Sequence, residues 1–427
     1  MALDFDTRIM ARALQLARRG RYSAMPNPHV GCVLVRDGQV IGEGFTRPVG
    51  GNHAEIEALV AAGDARGATA YVSLEPCSHQ GRTGPCADAL VTAGVSRVVV
   101  AMPDPNPLVA GQGLARLRAA GVAVDSGLLA TEARELIPGY IARMTRGRGR
   151  VRAKLAMSVD GRTAMASGES QWITGPAARR DVQRLRAASC AIVTGVATVL
   201  ADDCALTVRA DQLGLPESAA VLAAARQPLR VVLDSSLRTP ADARVLAPGA
   251  ATLICHSDAA PVPAGLAGSG AELLALPRGE SGLDLGQLMT VLAARQCNEI
   301  LVESGPRLAG ALLQQGLLDE LIVYMAPALL GNRARPLLEL PLDNMADKVR
   351  LQIEDVRKVG QDWRFTAGPA GPLRHRRSIM FTGIIQAVGQ VAAMQAVGGD
   401  LRLRINTGKL PLADVALGDS ISTNGVC

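Results

Sequence analysis

The chain has 427 residues, of which 48% are hydrophobic and 20% are charged. This length is too great for one ordinary hydrophobic core and predicts two to three domains, and the composition is that of a globular chain. The net charge of +6, from 45 basic and 39 acidic residues, is spread along the sequence, and only 2% of the residues are aromatic. A nucleic-acid-binding surface needs clustered basic residues, so this balance argues against that class and suits a small phosphorylated substrate.

The amino-terminal residues, MALDFDTRIMARAL, carry acidic side chains and lack the apolar stretch of a signal peptide. No apolar run reaches the length of a transmembrane helix. The eight cysteines stand at irregular spacings, which favours reduced thiols over a disulfide framework. We therefore expect a cytoplasmic protein with no membrane partner, and the sequence leaves open whether it forms a homo-oligomer.

Residues 1–147 alternate helical and strand patterns and are predicted to form the first domain. A helix is expected to begin at Asp6 or Thr7, either of which can serve as its N-cap. The segments VGCVLV and QVIGEGF flank Asp-Gly at 37–38, a strong signal for a two-residue hairpin. The pattern then predicts a helix over 54–62, a strand at ATAYVSL, a helix after residue 86 and a strand at SRVVVAM. This order indicates a mixed α/β sheet covered by helices.

A basic, glycine-rich stretch over 143–150, RMTRGRGR, is predicted to connect this domain to a second one over residues 148–367. After an initial strand at VRAKLAM, its expected strands are CAIVTG, LRVVLD, ATLICH, EILVES and ELIVYMA. Helices are expected over 176–188, 285–295 and 307–315. No GxGxxG motif follows any of these strands, so a nucleotide would have to be held by an α/β architecture other than the Rossmann fold.

The strongest chemical signal is the HAE triplet that runs from His53 to Glu55, followed by Cys77 in a Pro-Cys pair and, after eight intervening residues, by Cys86. One imidazole and two thiolates give Zn²⁺ three protein ligands and leave a fourth position for water, as in catalytic zinc sites. Glu55 is too close to His53 to share the metal easily but is well placed to shuttle a proton. His-x-Glu with Pro-Cys is the signature of zinc nucleobase deaminases.

Each of these residues also has a structural interpretation. The two cysteines could be small core residues and His53 a surface cap, and only their joint occurrence in this order favours a metal site. A closed structural zinc site would need a fourth ligand, for which His79 is the nearby candidate. Two rival classes are a nucleoside or RNA-editing deaminase and a zinc-stabilised scaffold. The long cysteine spacing argues against the first, and Glu55 argues against the second, because a structural site needs no positioned carboxylate.

Four segments resemble the deaminase domain of the bifunctional riboflavin-biosynthesis deaminase/reductases: PNPHVGCVLV, HAEIEAL, EPCSHQGRTGPC and MPDPNPLVAGQGLARLRAAG. The resemblance implies a cytidine-deaminase-like α/β/α fold. It also implies that His53, Cys77 and Cys86 are the zinc ligands, and that Glu55 is the catalytic proton shuttle.

The same resemblance places Asn27 and His79 in contact with the pyrimidine. An asparagine amide offers both a donor and an acceptor to a base edge, although a turn residue between two prolines is the other interpretation of Asn27. Gly84 stands where this family commonly has proline, which affects the stiffness of the loop and not the ligand set.

The resemblance continues through AKLAMSVDGRTAMASGESQWIT, GVATVLADDCALTVR and VESGPRLAGALL, which are similar to the reductase domain of this family. It implies a dihydrofolate-reductase-like α/β fold that uses NADPH to convert the ribosyl group of the deaminated product into a ribityl chain. The implied cofactor contacts are Ala156, Trp172, Thr198, Asp202, Ser235, Gly305, Pro306, Arg307, Leu308, Ala309, Gly310 and Ala311. The implied substrate contacts are Ser170, Arg186, Leu206, Arg209 and Glu303.

Some of these positions also have a physical rationale. The turn around Gly305 ends a strand and opens a helix, so its unpaired N–H groups suit a phosphate, although a plain strand–helix junction has the same pattern. Arg186 and Arg209 can act as guanidinium forks for a 5′-phosphate, and each could equally be a surface charge. By resemblance alone, Lys154 is a candidate catalytic residue that polarises the reacting sugar.

Residues 368–379 are rich in glycine and proline and then basic, which predicts a linker. Beyond them, MFTGIIQAVGQV and LGDSISTNGVC resemble the first strands of the riboflavin synthase α subunit, which is built from two β-barrels. Residues 380–427 are expected to supply about four strands, an incomplete β-barrel fragment with unpaired edges. The resemblance therefore implies a truncated riboflavin-synthase-like segment without synthase activity.

Overall fold

The structure, a computed structural model, describes residues 2–78, 84–107, 109–258, 260–279, 282–370, 390–397 and 400–406. Their secondary structure forms two α/β units, each around one main sheet, and a separate pair of strands. Within these ranges, no helix combines the length and the apolar character that are needed to cross a membrane.

The first unit contains a five-stranded sheet covered by helices. Its elements are α1 (Ala2–Arg19), β1 (Gly31–Arg36), β2 (Gln39–Phe45), α2 (Ala54–Ala62), β3 (Thr69–Val72), α3 (Cys86–Thr92), β4 (Arg97–Val100), α4 (Gln112–Ala119), β5 (Ala123–Ser126), α5 (Ala130–Leu136) and α6 (Pro138–Arg146). The strand order is β2-β1-β3-β4-β5, in which β1 is antiparallel to both neighbours and β3, β4 and β5 are parallel. Helices α1 to α4 all contribute to its aliphatic core, which confirms the predicted mixed sheet.

The predicted hairpin and the helix over 54–62 are confirmed. The first helix begins earlier than predicted, at Ala2, so Asp6 lies inside the helix and is not its N-cap. Its carboxylate instead accepts hydrogen bonds from the Tyr71 hydroxyl at 2.5 Å and from Nη2 of Arg97 at 2.8 Å. A tertiary contact therefore occupies the side chain that local sequence assigned to the helix end.

The second unit contains a nine-stranded sheet. Its elements are β6 (Arg150–Ser158), β7 (Arg162–Ala164), α7 (Pro176–Ala187), β8 (Ala191–Gly195), α8 (Val196–Asp202), α9 (Glu217–Ala225), β9 (Leu229–Leu233), β10 (Thr252–Ser257), α10 (Ala264–Ala267), β11 (Glu272–Leu276), β12 (Arg278–Gly279), β13 (Gly282–Leu283), α11 (Leu285–Ala294), β14 (Glu299–Glu303), α12 (Pro306–Gln314), β15 (Glu320–Ala326), β16 (Arg335–Pro336), β17 (Leu351–Val359) and β18 (Asp362–Pro369). The strand order is β11-β10-β9-β8-β14-β6-β15-β18-β17. The seven strands from β11 to β15 in this order are parallel, and β18 is antiparallel to both β15 and β17.

All the strands predicted for this unit are present. The predicted helices differ by one residue from α7 and α11 at the carboxyl end and from α12 at both ends. The edge strands β11 and β17 were not predicted. Most residues of β17 are exposed, so this strand lacks the hydrophobic alternation on which a sequence prediction depends.

The predicted connection over 143–150 is wrong in its bounds. Helix α6 continues to Arg146 and β6 begins at Arg150, so three residues join the two units. The helix ends at Gly147, which has a φ of 70°, a left-handed conformation that glycine adopts at low cost. At the other end, β18 extends to Pro369 and crosses the predicted domain boundary at 367.

Two strands of the tail are described, β19 (Gln390–Val397) and β20 (Asp400–Asn406). They form an antiparallel pair, and neither joins either of the large sheets. The first part of the riboflavin-synthase-like segment and the strand expected around SISTN lie outside the described residues, so the four-strand expectation stays a prediction.

Candidate functional site

The side chains of the three predicted zinc ligands come together beyond the carboxyl end of β3. The ligand atoms of His53, Cys77 and Cys86 all lie within 4.8 Å of one another. The Sγ atoms of Cys86 and Cys77 are 3.3 and 3.7 Å from Nδ1 of His53. His53 is the N-cap residue of α2 and Cys86 is the first residue of α3, so two helix starts and one loop supply the cluster.

Glycines on β2 allow α2 to lie directly on the sheet. A Cβ atom at Gly42 would be 2.3 Å from the Ala58 carbonyl oxygen, and one at Gly44 would be 2.2 Å from that of Ala54. Any larger residue would force the helix away, since real Cβ atoms do not approach that closely. This close contact sets the position of the amino end of α2, and with it His53.

Cys77 is held in the form that binds metal. A hydrogen bond from the Cys86 thiol, and then the contact with His53, lower the pKa of Cys77 to about 4. The backbone N–H of Cys86 also donates to Cys77 Sγ at 3.3 Å. These hydrogen bonds favour the thiolate, which is the ligand form of cysteine, at Cys77.

Glu55 lies in the first turn of α2 and is only 4% exposed. Burial, followed by the charge of the nearby Cys77, raises the pKa of this carboxyl group to about 7. A group whose pKa is close to the working pH can both take up and release a proton, as a general acid/base must. Its position and its pKa therefore suit the role of proton shuttle.

The donor set fits Zn²⁺. One imidazole nitrogen and two thiolate sulfurs are zinc ligands, and three protein ligands leave a position open for water. Among the described residues, this is the one group of three His, Cys, Asp or Glu side chains with such a geometry. His79, both the candidate fourth ligand and a predicted pyrimidine contact, lies outside the described residues.

Glu75 is a site residue that sequence reasoning missed. It is 4% exposed and precedes the Pro-Cys pair, and its carboxylate accepts hydrogen bonds from four backbone N–H groups. The donors are those of Asp104, Gly111, Gly113 and Leu114, at 3.0, 2.9, 2.9 and 3.3 Å. These hydrogen bonds hold the loop after β4 beside the predicted zinc ligands. The available signal was a carboxylate between a buried strand and a metal-ligating cysteine.

Asn27 lies where the two domains meet. It lines a cavity of about 500 Å³ whose wall also includes Arg152, Asn298 and Glu299 from the second unit. Neither the zinc ligands nor Glu55 line this cavity. The segment around Asn27 is therefore in contact with both domains.

In the second unit, the predicted ligand-binding residues gather at the carboxyl ends of the parallel strands. The chain leaves β8 through α8 towards β9, whereas it leaves the adjacent β14 through α12 towards β15 on the other side. Helices α8 and α12 pack on opposite faces of the sheet. Adjacent strands with diverging connections form a topological switch point, which is where open α/β sheets bind nucleotides. The strand ends therefore define a candidate cofactor crevice.

Two of the predicted substrate residues bind each other. Nε and Nη2 of Arg186 donate to the two carboxylate oxygens of Glu303 at 2.6 and 3.0 Å, and Nη1 donates to the Thr207 carbonyl oxygen at 3.1 Å. Lys154 lies in register beside Glu303 on the neighbouring strand. Burial lowers the pKa of Lys154, and the charges of Arg186 and Lys154 keep the pKa of Glu303 low despite its burial. Arg186 thus already donates three hydrogen bonds, two to Glu303 and one to Thr207.

Arg209 has a different environment, because its side chain is exposed. Ser170 Oγ donates to Asp202 Oδ1 at 3.3 Å, which joins a predicted substrate residue to a predicted cofactor residue. Trp172 is 70% exposed, and the guanidinium of Arg179 lies 4.5 Å from the centre of its ring. Polar and aromatic surface therefore remains accessible at Arg209 and Trp172.

Other predicted contacts occupy the same edge. Ala156 is near the end of β6, Thr198 is in α8, Ser235 follows β9, and Gly305 is the N-cap residue of α12. Leu206 is buried, in the loop after α8, with a φ of 50°. Topology therefore brings together residues that are far apart in sequence.

The predicted cofactor turn over 305–311 contains both core and surface residues. Ala309 and Gly310 are buried, and a Cβ atom at Gly310 would lie 2.2 Å from the Glu339 carbonyl oxygen. Gly305 and Arg307 are exposed. The backbone at the amino end of α12, and not the body of the helix, is therefore available to a ligand.

Two protein families match the chain. Residues 3–102 match the cytidine and deoxycytidylate deaminase zinc-binding region, and residues 150–365 match the RibD C-terminal domain. Fold and site together define a class of two-domain enzyme, in which a cytidine-deaminase-like zinc deaminase precedes a dihydrofolate-reductase-like, NADPH-dependent reductase.

Full-length relatives share this arrangement. The riboflavin biosynthesis protein RibD of Escherichia coli (strain K12) is 53% identical over 362 residues, which cover 84% of this chain and 97% of that protein. RibD of Acinetobacter baumannii, a solved structure, is 46% identical with a TM-score of 0.80, and the match covers 86% of this chain and 100% of that one. A deaminase/reductase from Thermotoga maritima is 30% identical with a TM-score of 0.75, over 87% and 100% of the two chains. The chain belongs to the RibD family and is a bifunctional deaminase and reductase of riboflavin biosynthesis.

Proposed function

We propose that the first domain deaminates 2,5-diamino-6-ribosylamino-4(3H)-pyrimidinone 5′-phosphate. The second domain then reduces the ribosyl group to give 5-amino-6-ribitylaminouracil 5′-phosphate. The observation that carries this proposal is the cluster of three zinc-ligand atoms within 4.8 Å beside a buried carboxyl group. The Thermotoga maritima relative is described as a diaminohydroxyphosphoribosylaminopyrimidine deaminase and 5-amino-6-(5-phosphoribosylamino)uracil reductase, which supports the substrate assignment.

In the deaminase, His53, Cys77 and Cys86 would hold Zn²⁺, and the bound metal would lower the pKa of a water molecule that attacks the amino-bearing carbon of the pyrimidine. Glu55 takes a proton from the attacking water and delivers it to the departing amino group, which leaves as ammonia. Its burial in the first turn of α2, two residues from His53, supports this role.

Asn27 and His79 contact the pyrimidine in this proposal. Asn27 supplies an amide donor and acceptor for a base edge, which distinguishes a diaminopyrimidine from a base without matching groups.

In the reductase, NADPH supplies the hydride that reduces the ribosyl group. Ala156, Trp172, Thr198, Asp202, Ser235 and the 305–311 turn contact the cofactor, with the exposed backbone around Gly305 as the phosphate site. The substrate contacts are Ser170, Arg186, Leu206, Arg209 and Glu303, and Arg209 binds the 5′-phosphate. Lys154 polarises the reacting sugar, and the ion pair of Glu303 with Arg186 sets the electrostatic environment of that lysine.

We further propose a deaminase domain over 1–147 and a reductase domain over 148–367, with a linker over 368–379. A cytoplasmic location is supported by the irregular cysteine spacing. The segment over 380–427 is assigned no reaction, and incubation of the full chain with lumazine should yield no riboflavin.

An absorbance assay with the diaminopyrimidine ribosyl phosphate tests the proposal. Deamination should proceed without NADPH, and addition of NADPH should then lead to its oxidation with one equivalent of ribityl product. Removal of zinc by a chelator should abolish the first step and leave the reduction of pre-deaminated substrate intact. Oxidation of NADPH by the diamino substrate without prior deamination would contradict the proposed order.

A further inference from the structure

A residue of the reductase domain reaches into the deaminase domain. Asn298, immediately before β14, is 3% exposed. Its Nδ2 donates to the Pro26 carbonyl oxygen at 2.6 Å, and its Oδ1 accepts from Nε of Arg143 at 2.6 Å. Both ends of this side-chain amide are therefore engaged by the deaminase domain.

The contact with Pro26 acts on the peptide group that leads into Asn27. The carbonyl carbon of Pro26 is bonded to the nitrogen of Asn27, so the hydrogen bond from Asn298 holds the plane of that peptide. At the opposite edge of the same peptide group, the Asn27 N–H donates to the Ala24 carbonyl oxygen at 3.0 Å. The orientation of Asn27 thus depends on one local and one interdomain hydrogen bond.

A second contact joins the same segment to the reductase domain. The Cys190 thiol lies 3.5 Å from the sulfur of the buried Met25. The segment over 24–27 is consequently packed against the reductase domain over successive residues.

We propose that Asn298 is a positioning residue for the deaminase, supplied by the reductase domain, which orients Asn27 towards the pyrimidine through the Pro26 carbonyl. The proposal rests on the proposed role of Asn27. The reductase domain then completes the substrate site of the deaminase, which gives the joining of the two domains a catalytic consequence.

Asn298→Asp is the sharpest test, because it is nearly isosteric. It keeps the acceptor for Arg143 and removes the donor to Pro26. The KM for deamination should rise about ten-fold, the size expected for one lost hydrogen bond, while kcat changes by less than about two-fold. Zinc content and the reduction of pre-deaminated substrate should not change. If the buried carboxylate of Asn298→Asp prevents folding, Asn298→Ser replaces it in the test. This variant is smaller and neutral, and it should show the same increase in the KM for deamination.

Two further variants separate positioning from a general weakening of the interface. Asp319 also joins the domains, by accepting hydrogen bonds from Arg146 and Arg148, but it has no bond to the 24–27 segment. Asp319→Asn should therefore leave the deaminase KM unchanged. Asn27→Ala combined with Asn298→Asp should have the same KM as Asn27→Ala alone, because the two residues act as one unit.

The outcomes are distinguishable. If Asn27→Ala raises the deaminase KM while Asn298→Asp and Asn298→Ser do not, the positioning role is refuted and the role of Asn27 stands. If Asn27→Ala leaves the KM unchanged, the proposed pyrimidine contact itself is wrong. A KM increase in Asp319→Asn as large as that in Asn298→Asp would assign the effect to the interface as a whole and overturn the specific contact.

Discussion

The predicted zinc site and the reductase crevice differ in how many residues form each site and in where those residues come from. The zinc site takes three side chains from two helix starts and one loop, and places their ligand atoms within 4.8 Å. The crevice collects residues from the ends of many strands, including β6, β8, β9 and β14. A metal ion demands a complete ligand set of fixed chemistry, whereas a nucleotide and a sugar phosphate are held by many weaker contacts. Single substitutions should therefore abolish function in the first region and have graded effects in the second.

The largest effect is expected for Cys77→Ser. Loss of a thiolate from a three-ligand site should remove zinc and deamination together, because serine is a poor zinc ligand. Elemental analysis should find less than one zinc per chain, and reduction of pre-deaminated substrate should continue. Full zinc content in this variant would exclude Cys77 from the site.

Glu55→Gln should keep zinc and fold but slow deamination by about two to four orders of magnitude, because the general acid/base is lost. Glu57→Gln is the matched control, since Glu57 lies on the same helix and pairs with Arg47 at the surface. Steady-state deamination rates, measured together with the zinc content of both variants, test this prediction. Equal rates in the two variants would remove Glu55 from the mechanism.

Arg186→Ala should act mainly on stability. It leaves the Glu303 carboxylate, whose side chain is 10% exposed, without its partner. Breaking a buried ion pair in this way costs about 3–5 kcal/mol in the free energy of unfolding. Denaturant unfolding measures this change, and a variant as stable as the parent protein would show that the pair contributes little.

Arg209→Ala should have the smallest effect, and this effect should be on substrate binding and not on stability. Its exposed side chain leaves no buried charge behind, so the unfolding free energy should stay the same. The KM of the reductase for its substrate should rise about ten- to a hundred-fold through loss of a charge-assisted hydrogen bond to phosphate. An increase in the KM for NADPH alone would place Arg209 in the cofactor subsite.

These two arginines show where sequence reasoning reached its limit. Both were predicted as phosphate-binding side chains. The residue type and its position in a family motif do not reveal which partner the side chain has in the folded protein. The structure separates them, because α7 places Arg186 against the end of β14 while Arg209 remains at the surface. The first-helix cap failed for the same reason, as Asp6 binds Arg97 from a distant strand.

The sequence alone determined the two α/β units and the buried strands and predicted the zinc ligand set, because hydrophobic period and metal-ligand chemistry are properties of short segments. The tertiary structure alone decided the exposed edge strand β17, the backbone hydrogen bonds to the Glu75 carboxylate and the interdomain contact of Asn298. Each of these depends on a partner that a local pattern does not specify. Burial compels a polar group to find such a partner, but only the packing of the whole chain decides which one is within reach.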